Sequence, residues 1–254
     1  MPRSVKVLFS AVALVGIAAF AASCGSNNAD FRVFNAIATS PNNILGSAFD
    51  VWINGSLLYS NLNFGGTQPN TGYKSITSGS DTMEVFQTGT STNPYINSPL
   101  NLGGSNTYTV VLTGTSPTST SGQSNGYAAS VKQDTNTAPT TGNVNIRIIN
   151  AAINASATVG GGFDVYILPP GTTPSTPGVT PQVSKLTPIN ASPYVGVSTS
   201  GSLTVYVTAP GSRTQINNEP LSGLTATVSI RTIIITDSGG AAYPPLLYTL
   251  TDVQ

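Results

Sequence analysis

Phe31-Arg32-Val33-Phe34-Asn35-Ala36 returns further along the chain as Ile146-Arg147-Ile148-Ile149-Asn150-Ala151, and this repetition decides the architecture. Phe49-Asp50-Val51-Trp52-Ile53 likewise returns as Phe163-Asp164-Val165-Tyr166-Ile167. The order holds to the end. Residues 78–86 align with 199–206, Pro99-Leu100 with Pro220-Leu221, and 108–113 with 231–236. The offset between matching positions grows from about 114 to about 123, so the copies differ by loop insertions in the second. The reading is two copies of one domain of ordinary size. Two copies are too few for a solenoid.

The segments inside each copy are short, β-branched or aromatic, and cut by Gly, Pro, Asn and Ser, which is the punctuation of strands. Phe49, Val51 and Ile53 alternate with Asp50 and Trp52, and Asn54-Gly55 then supplies a hairpin turn. Leu203, Val205 and Val207 alternate with Thr204, Tyr206 and Thr208, which puts the aliphatic row on a core face. Residues 230–236 are apolar more continuously, as in a strand covered on both faces. No amphipathic helix is expected. The fold class that follows is all-β, with two tandem immunoglobulin-like β-sandwich domains. Their expected bounds are 31–134 and 143–254, joined by a Thr/Pro/Gly linker at 135–142. The Ser/Thr/Pro-rich stretches 115–125 and 169–181 are expected to be long exposed loops, either functional or mere spacers.

The N-terminus carries an address. Arg3 and Lys6 precede an apolar run from Val7 to Phe20, followed by Ala21-Ala22-Ser23-Cys24. A basic start, a short apolar stretch and small residues before a cut site make a secretory signal. The run is shorter than the roughly 20 apolar residues of a membrane span. Ala21-Ala22-Ser23-Cys24 resembles the lipobox of bacterial lipoproteins. That resemblance implies a signal peptide at 1–23, lipidation of Cys24 and a short tether at 24–30. Two or more acyl chains anchor a protein stably. Cys24 is the only cysteine, so lipidation leaves no thiol for a disulfide, a metal or a nucleophile. Gly25 follows it, which favours the outer membrane, facing periplasm or surface, in a Gram-negative cell.

The repeat itself resembles the domain of unknown function (DUF) 4397 family. The motifs that carry the resemblance are Arg32-Val33-Phe34-Asn35-Ala36 through Pro41, Asp50-Val51-Trp52-Ile53-Asn54-Gly55 and Asn61-Leu62-Asn63-Phe64-Gly65. The second copy supplies Arg147-Ile148-Ile149-Asn150-Ala151 and Asp164-Val165-Tyr166-Ile167. Two departures stand out. Asn35 and Asn150 occupy a position where many members carry His, and Pro169-Pro170 replaces the Asn-Gly turn in the second copy. The resemblance implies secreted or lipid-anchored bacterial proteins with tandem domains, and no established activity.

Charged residues make up 7% of the chain, against about 25% in ordinary soluble domains. Serine and threonine supply about a quarter of the residues and carry the polarity instead. There is no histidine, which excludes a Ser-His-Asp triad, a Cys-His pair and any His-ligated metal. Nine basic residues balance nine acidic ones, so no electrostatic attraction to nucleic acid is expected. Removing Arg3 and Lys6 with the leader shifts the net charge to −2. The expectation is a protein that is not an enzyme and needs no cofactor. Its partners are the membrane through Cys24 and a carbohydrate or protein ligand.

In a chain this poor in charge, Arg32 with Asp50 and Arg147 with Asp164 recur at matched strand positions. They are expected to be structural charge pairs between neighbouring strands, with a ligand-binding pair as the alternative. Pairing predicts that Arg147→Ala and Asp164→Ala act non-additively. Trp52 falls on the strand face opposite Val51 and Ile53 and is the leading candidate for a ligand-facing aromatic, such as a sugar platform. Asp81, Glu84, Asp134, Asp237 and Asp252 lie beside turns or after strands and read as solvated acids. The function expected is a non-enzymatic, lipid-anchored envelope protein of structural or binding role. The alternatives are a carbohydrate- or matrix-binding surface module and an assembly subunit that pairs strands at a sheet edge.

Overall fold

The computed structural model describes residues 27–38, 48–114, 126–135, 137–198, 201–222, 224, 229–238 and 244–252. The leader, Cys24 and the 115–125 loop lie outside them. The first half runs β1 (Asn28–Asn35), β2 (Ala48–Ile53), β3 (Ser56–Asn63), β4 (Thr67–Gln68), β5 (Lys74–Thr77), β6 (Gly79–Gln87), β7 (Ile96–Leu102), β8 (Thr107–Thr113) and β9 (Ala128–Asp134). The second runs β10 (Asn143–Asn150), α1 (Ile153–Thr158), β11 (Phe163–Leu168), β12 (Val183–Leu186), β13 (Val195–Ser198), β14 (Leu203–Thr208), β15 (Gln215–Leu221), β16 (Ile230–Asp237) and β17 (Pro245–Thr251).

Each half is a sandwich of two sheets, and the strand order is the same in both. The first half pairs β4-β1-β8-β9, with β5 also on β1, against β3-β2-β6-β7. The second pairs β13-β10-β16-β17 against β12-β11-β14-β15. The all-β sandwich architecture is the one expected from the strand pattern. Its likeness to the immunoglobulin fold lies in the layering. There the first two strands share a sheet, whereas here β1 and β2 lie in different sheets and β1 pairs in parallel with β8. β10 and β16 repeat that parallel pair.

Alternation fixes which side chains meet. Phe31, Val33, Phe49, Val51, Met83, Val85, Val110 and Leu112 share one core in the first half. Ile146, Ile148, Phe163, Val165, Val205, Val207, Ile233 and Ile235 share the corresponding core in the second. Asn54 and Gly55 both adopt positive φ, 50° and 73°, as a two-residue hairpin loop whose twist matches its strands requires.

β1, β8, β10 and β16 are buried on both faces, and the second face is explained by a third apolar cluster. Phe34, Ala36 and Val111 from the first half pack against Ile149, Ala151 and Ile234 from the second, flanked by Tyr248 and Leu250. The β1 sheet and the β10 sheet therefore lie back to back as the two inner layers of a four-layer stack. Tyr248 reaches Phe34 edge-on at 5.4 Å and Phe64 at 6.0 Å. A Cβ at Gly65 would sit 2.6 Å from the Tyr248 ring, and Gly65 has φ +71°, so only glycine fits there.

One local expectation is corrected. A six-residue helix, α1, is present; Asp237 receives the backbone N–H groups of Asn154 and Ala155 at 2.9 and 2.7 Å and holds its first turn. At that length no 3.6-residue period can be read from sequence. The 169–181 segment is the long, mostly exposed loop expected, with Pro174 buried and Arg213 Nη1 donating to Thr176 O at 3.2 Å. Arg213 follows β14, while the segment joins β11 to β12 on the other side, so it crosses the outer face of its sheet. Tyr166, in β11, is buried.

Candidate functional site

Arg32 and Arg147 stand on the faces of β1 and β10 that turn away from their own sandwich cores and into the space between the halves. Asp50 and Asp164 lie in the outer sheets, beyond those cores. The expected pairs Arg32–Asp50 and Arg147–Asp164 therefore do not form. The partners are exchanged between halves: Arg32 forms its ion pair with Asp252, and Arg147 with Asp134. Both aspartates directly follow or end the last strand of their half, where β9 and β17 bring them beside the starts of β8 and β16.

Each carboxylate is enclosed by its own half and completed by the other. Asp134 Oδ2 accepts from Thr109 Oγ1 at 2.7 Å and from Tyr73 OH at 2.8 Å, and Asp134 Oδ1 accepts from Arg147. Asp252 Oδ2 accepts from Thr232 Oγ1 at 2.8 Å and from Tyr194 OH at 2.9 Å, and Asp252 Oδ1 accepts from Arg32. The guanidiniums also reach main chain across the boundary. Arg32 Nη1 donates to Thr251 O at 2.8 Å and Arg147 Nη1 to Gln133 O at 2.9 Å. Tyr73 stacks on Arg32 at 4.7 Å and Tyr194 on Arg147 at 4.9 Å. Arg32 lies 3.9 Å from Asp134 as well, so the two pairs form one neutral cluster.

The cluster is shut off from water; Arg32, Arg147, Asp134 and Asp252 are each 6% exposed or less. Burial works against the Arg147 charge, but Asp134, Tyr194 and Asp252 together outweigh it and hold the guanidinium above its ordinary range. Burial and then the Arg147 charge push the neighbouring Lys132 ammonium down. Burial also drives the Tyr73 and Tyr194 hydroxyls well up, so both remain hydrogen-bond donors to the carboxylates. Such an arrangement offers no open ligand position. It clamps two sheets in register.

The reading of Asp134, Asp237 and Asp252 as solvated acids is thus overturned; all three are buried. Asp81 does stay at the surface, accepting from Asn54 Nδ2 at 2.6 Å. Asp50 and Asp164 have a different structural role. Register shifts beside them in β2 and β11 interrupt the ladder. Asp50 compensates by accepting from the backbone N–H of Asn61 at 2.8 Å and of Gly89 at 3.0 Å. Asp164 does the same for Lys185 and Gly211, each at 2.7 Å. The recurrence of this aspartate follows from the recurrence of the bulge.

Asn35 and Asn150 are equally matched. Asn35 donates to Leu62 O and accepts from Ile37 N, both at 3.0 Å. Asn150 donates to Leu186 O at 2.7 Å and Ser156 Oγ at 2.9 Å, and accepts from Ala152 N at 3.0 Å. Each amide pins the exit of an inner strand to the end of an edge strand of the outer sheet, β3 or β12.

Trp52 is half-buried. Its ring meets Phe86 edge-on at 5.6 Å, its indole N–H is buried without a partner among the described residues, and it lies opposite Leu57 and Glu84 on neighbouring strands. Leu57 is 51% exposed. The outer face of the first half thus keeps an accessible apolar patch where the second half covers Tyr166.

Comparison with known proteins follows this geometry. Among solved structures, one match comes from work on alpha-glucan recognition by family 41 carbohydrate-binding modules of streptococcal virulence factors. It has TM-score 0.28 and 9% identity, covering 86% of this chain and 96% of that one. A comparison with curated proteins finds no match. The profile of the domain of unknown function DUF4397 matches residues 29–159, which take in the whole first half and continue through β10 and α1. That is just over half of the chain, which therefore belongs to the DUF4397 family.

Proposed function

We propose that this is a lipid-anchored protein of the bacterial cell envelope, tethered at Cys24 and built from two tandem DUF4397 domains that act as one rigid, non-enzymatic block. The observation that carries the reading is the crossed cluster. Two arginines and two aspartates of a charge-poor chain are committed to holding the halves together, and each of these carboxylates is saturated by structural donors. The second half repeats the sheet order of the first with one short strand fewer, and repeats the Arg, Thr, Tyr and Asp of the cluster, which supports two copies of the same domain. The Ala21-Ala22-Ser23-Cys24 motif supports export and lipidation, and Gly25 supports delivery to the outer membrane.

The anchor is tested by metabolic labelling with an alkyne fatty acid in a bacterial host. The wild-type chain is expected to take up label with its mature N-terminus at Cys24, and Cys24→Ser to take up none. Label-free wild type, or label retained by Cys24→Ser, contradicts the anchor.

A binding role rests on one further observation, the open patch of Trp52 and Leu57. A flat aromatic beside exposed aliphatic surface suits the apolar face of a sugar ring or a protein side chain. Trp52 is the only tryptophan, so its fluorescence reports on that face alone. Emission unmoved across a panel of envelope and matrix polysaccharides would remove the carbohydrate reading. Strand pairing at a sheet edge is less well supported, since the edge strands β7 and β15 carry Pro99 at mid-strand and Pro220 next to the strand end, a feature that blunts edges.

A further inference from the structure

The tether is very short, and the chain is fixed to the sandwich as soon as it ends. Asn27 O accepts from Ser78 N at 2.6 Å, Asn28 O accepts from Ser105 N at 2.8 Å, and Asp30 N donates to Asn106 O at 3.0 Å. β1 pairs with β5 from Asn28 onward. Three peptide steps separate Cys24 from Asn27, a reach of about 11 Å when fully extended. The end of the first half that carries the start of β1 can therefore not move far from whatever holds Cys24.

The second half presents the same end. The crossed cluster joins Arg32, the fifth residue of β1, to the end of β17 and Arg147, the fifth residue of β10, to the end of β9, so the two inner strands lie level with each other. Ala36 and Ala151, just past the other ends of β1 and β10, belong to one apolar cluster. β1 and β10 thus run in the same direction, side by side. The shared lower end exposes Gly79, Ser80, Gly104 and Ser105 from the first half and Gly201 and Ser202 from the second. These are small, uncharged residues that allow close approach. Asp30 is an exposed acid near the same end, so the approach is set by the tether and not by charge attraction to lipid.

We propose that this end of both halves rests against the lipid surface, so that the four sheets stand upright. This rests on lipidation of Cys24. The turn after β6, with Ser91, and the turn after β14, with Thr214, then face away from the membrane. β1 is eight residues long, so these turns stand about 26 Å further out.

The test uses the full lipidated chain, whose lipid on Cys24 is first verified by mass. Single-cysteine variants Ser80→Cys, Ser202→Cys, Ser91→Cys and Thr214→Cys are labelled with a fluorophore; the lipidated native cysteine does not compete. The proteins are reconstituted into phosphatidylethanolamine/phosphatidylglycerol vesicles containing a headgroup spin-labelled lipid. Quenching at positions 80 and 202 is expected to exceed that at 91 and 214 at least threefold, and to persist in high salt. Equal quenching at all four positions, or an inverted order, overturns the orientation while leaving the anchor intact. Quenching at 80 without 202 overturns the shared end. Absence of lipid on Cys24 defeats the anchor reading itself, and the orientation with it.

Discussion

Asp134→Ala is expected to lower the melting temperature by about 10 °C. The substitution leaves the Arg147 guanidinium buried without its counter-charge, and breaking a buried pair from one side costs about 3–5 kcal/mol. For a chain of this length each kcal/mol corresponds to about 2–4 °C. Tyr73 and Thr109 lose their shared acceptor at the same time. The same argument applies to Asp252→Ala through Arg32, Tyr194 and Thr232. Thermal unfolding followed by circular dichroism measures the loss. The double variant Arg147→Ala/Asp134→Ala should lose clearly less than the two single losses added together, because the second substitution removes a charge already orphaned. Arg147→Ala/Asp164→Ala should be additive, since Asp164 contacts Lys185 and Gly211 and not Arg147. The reverse pattern of coupling would restore the within-copy pairing and refute the exchanged one.

The second large effect is expected at Asn150. Its side chain joins three partners in a site closed to water, namely Leu186 O, Ser156 Oγ and Ala152 N. Alanine strands a backbone carbonyl and a backbone N–H there, each worth about 1–3 kcal/mol when left unsatisfied. A loss of about 3 kcal/mol is expected in chemical denaturation. The midpoint should shift with little change in slope, because the unfolded surface is nearly unchanged. A loss below about 1 kcal/mol would show that these groups find other partners or water, and that the amide does not pin the strand exit.

The strands and their faces were legible in the sequence because each rests on local periodicity. Residues 230–236 read correctly as covered on both faces. What covers the second face was not legible. One copy's strand carries no mark saying whether its outer side meets solvent, a ligand or the other copy. The charge pairs show the same boundary. Recurrence of Arg32 and Arg147 beside Asp50 and Asp164 signalled that all four matter. A repeat, however, places a partner within the copy and in the neighbouring copy with equal force. The signal that distinguishes them was present in Asp134 and Asp252, which recur after the final strand of each copy at the end farthest from the matched motifs. Thr109 and Thr232, already aligned, are the hydroxyls that donate to them. Trp52 marks a different limit. Its strand face was assigned correctly by alternation, but its partial burial comes from Phe86, a neighbour set by register. Tyr166, its counterpart, is buried.

The charge scarcity of the chain also takes on a physical meaning. A buried neutral cluster of two arginines and two aspartates requires that nothing else charged compete for its members, and a surface of Ser, Thr and Asn meets that condition. The cluster gives the two sandwiches one relative placement, which a short linker alone would not.

The central claim is that the halves form a single cooperative unit through this interface. Scanning calorimetry on a soluble chain spanning residues 25–254 tests it most directly. One transition is predicted, with calorimetric and van't Hoff enthalpies equal. Two resolved transitions, or a calorimetric enthalpy near twice the van't Hoff value, would mean that each sandwich melts alone and would contradict the account.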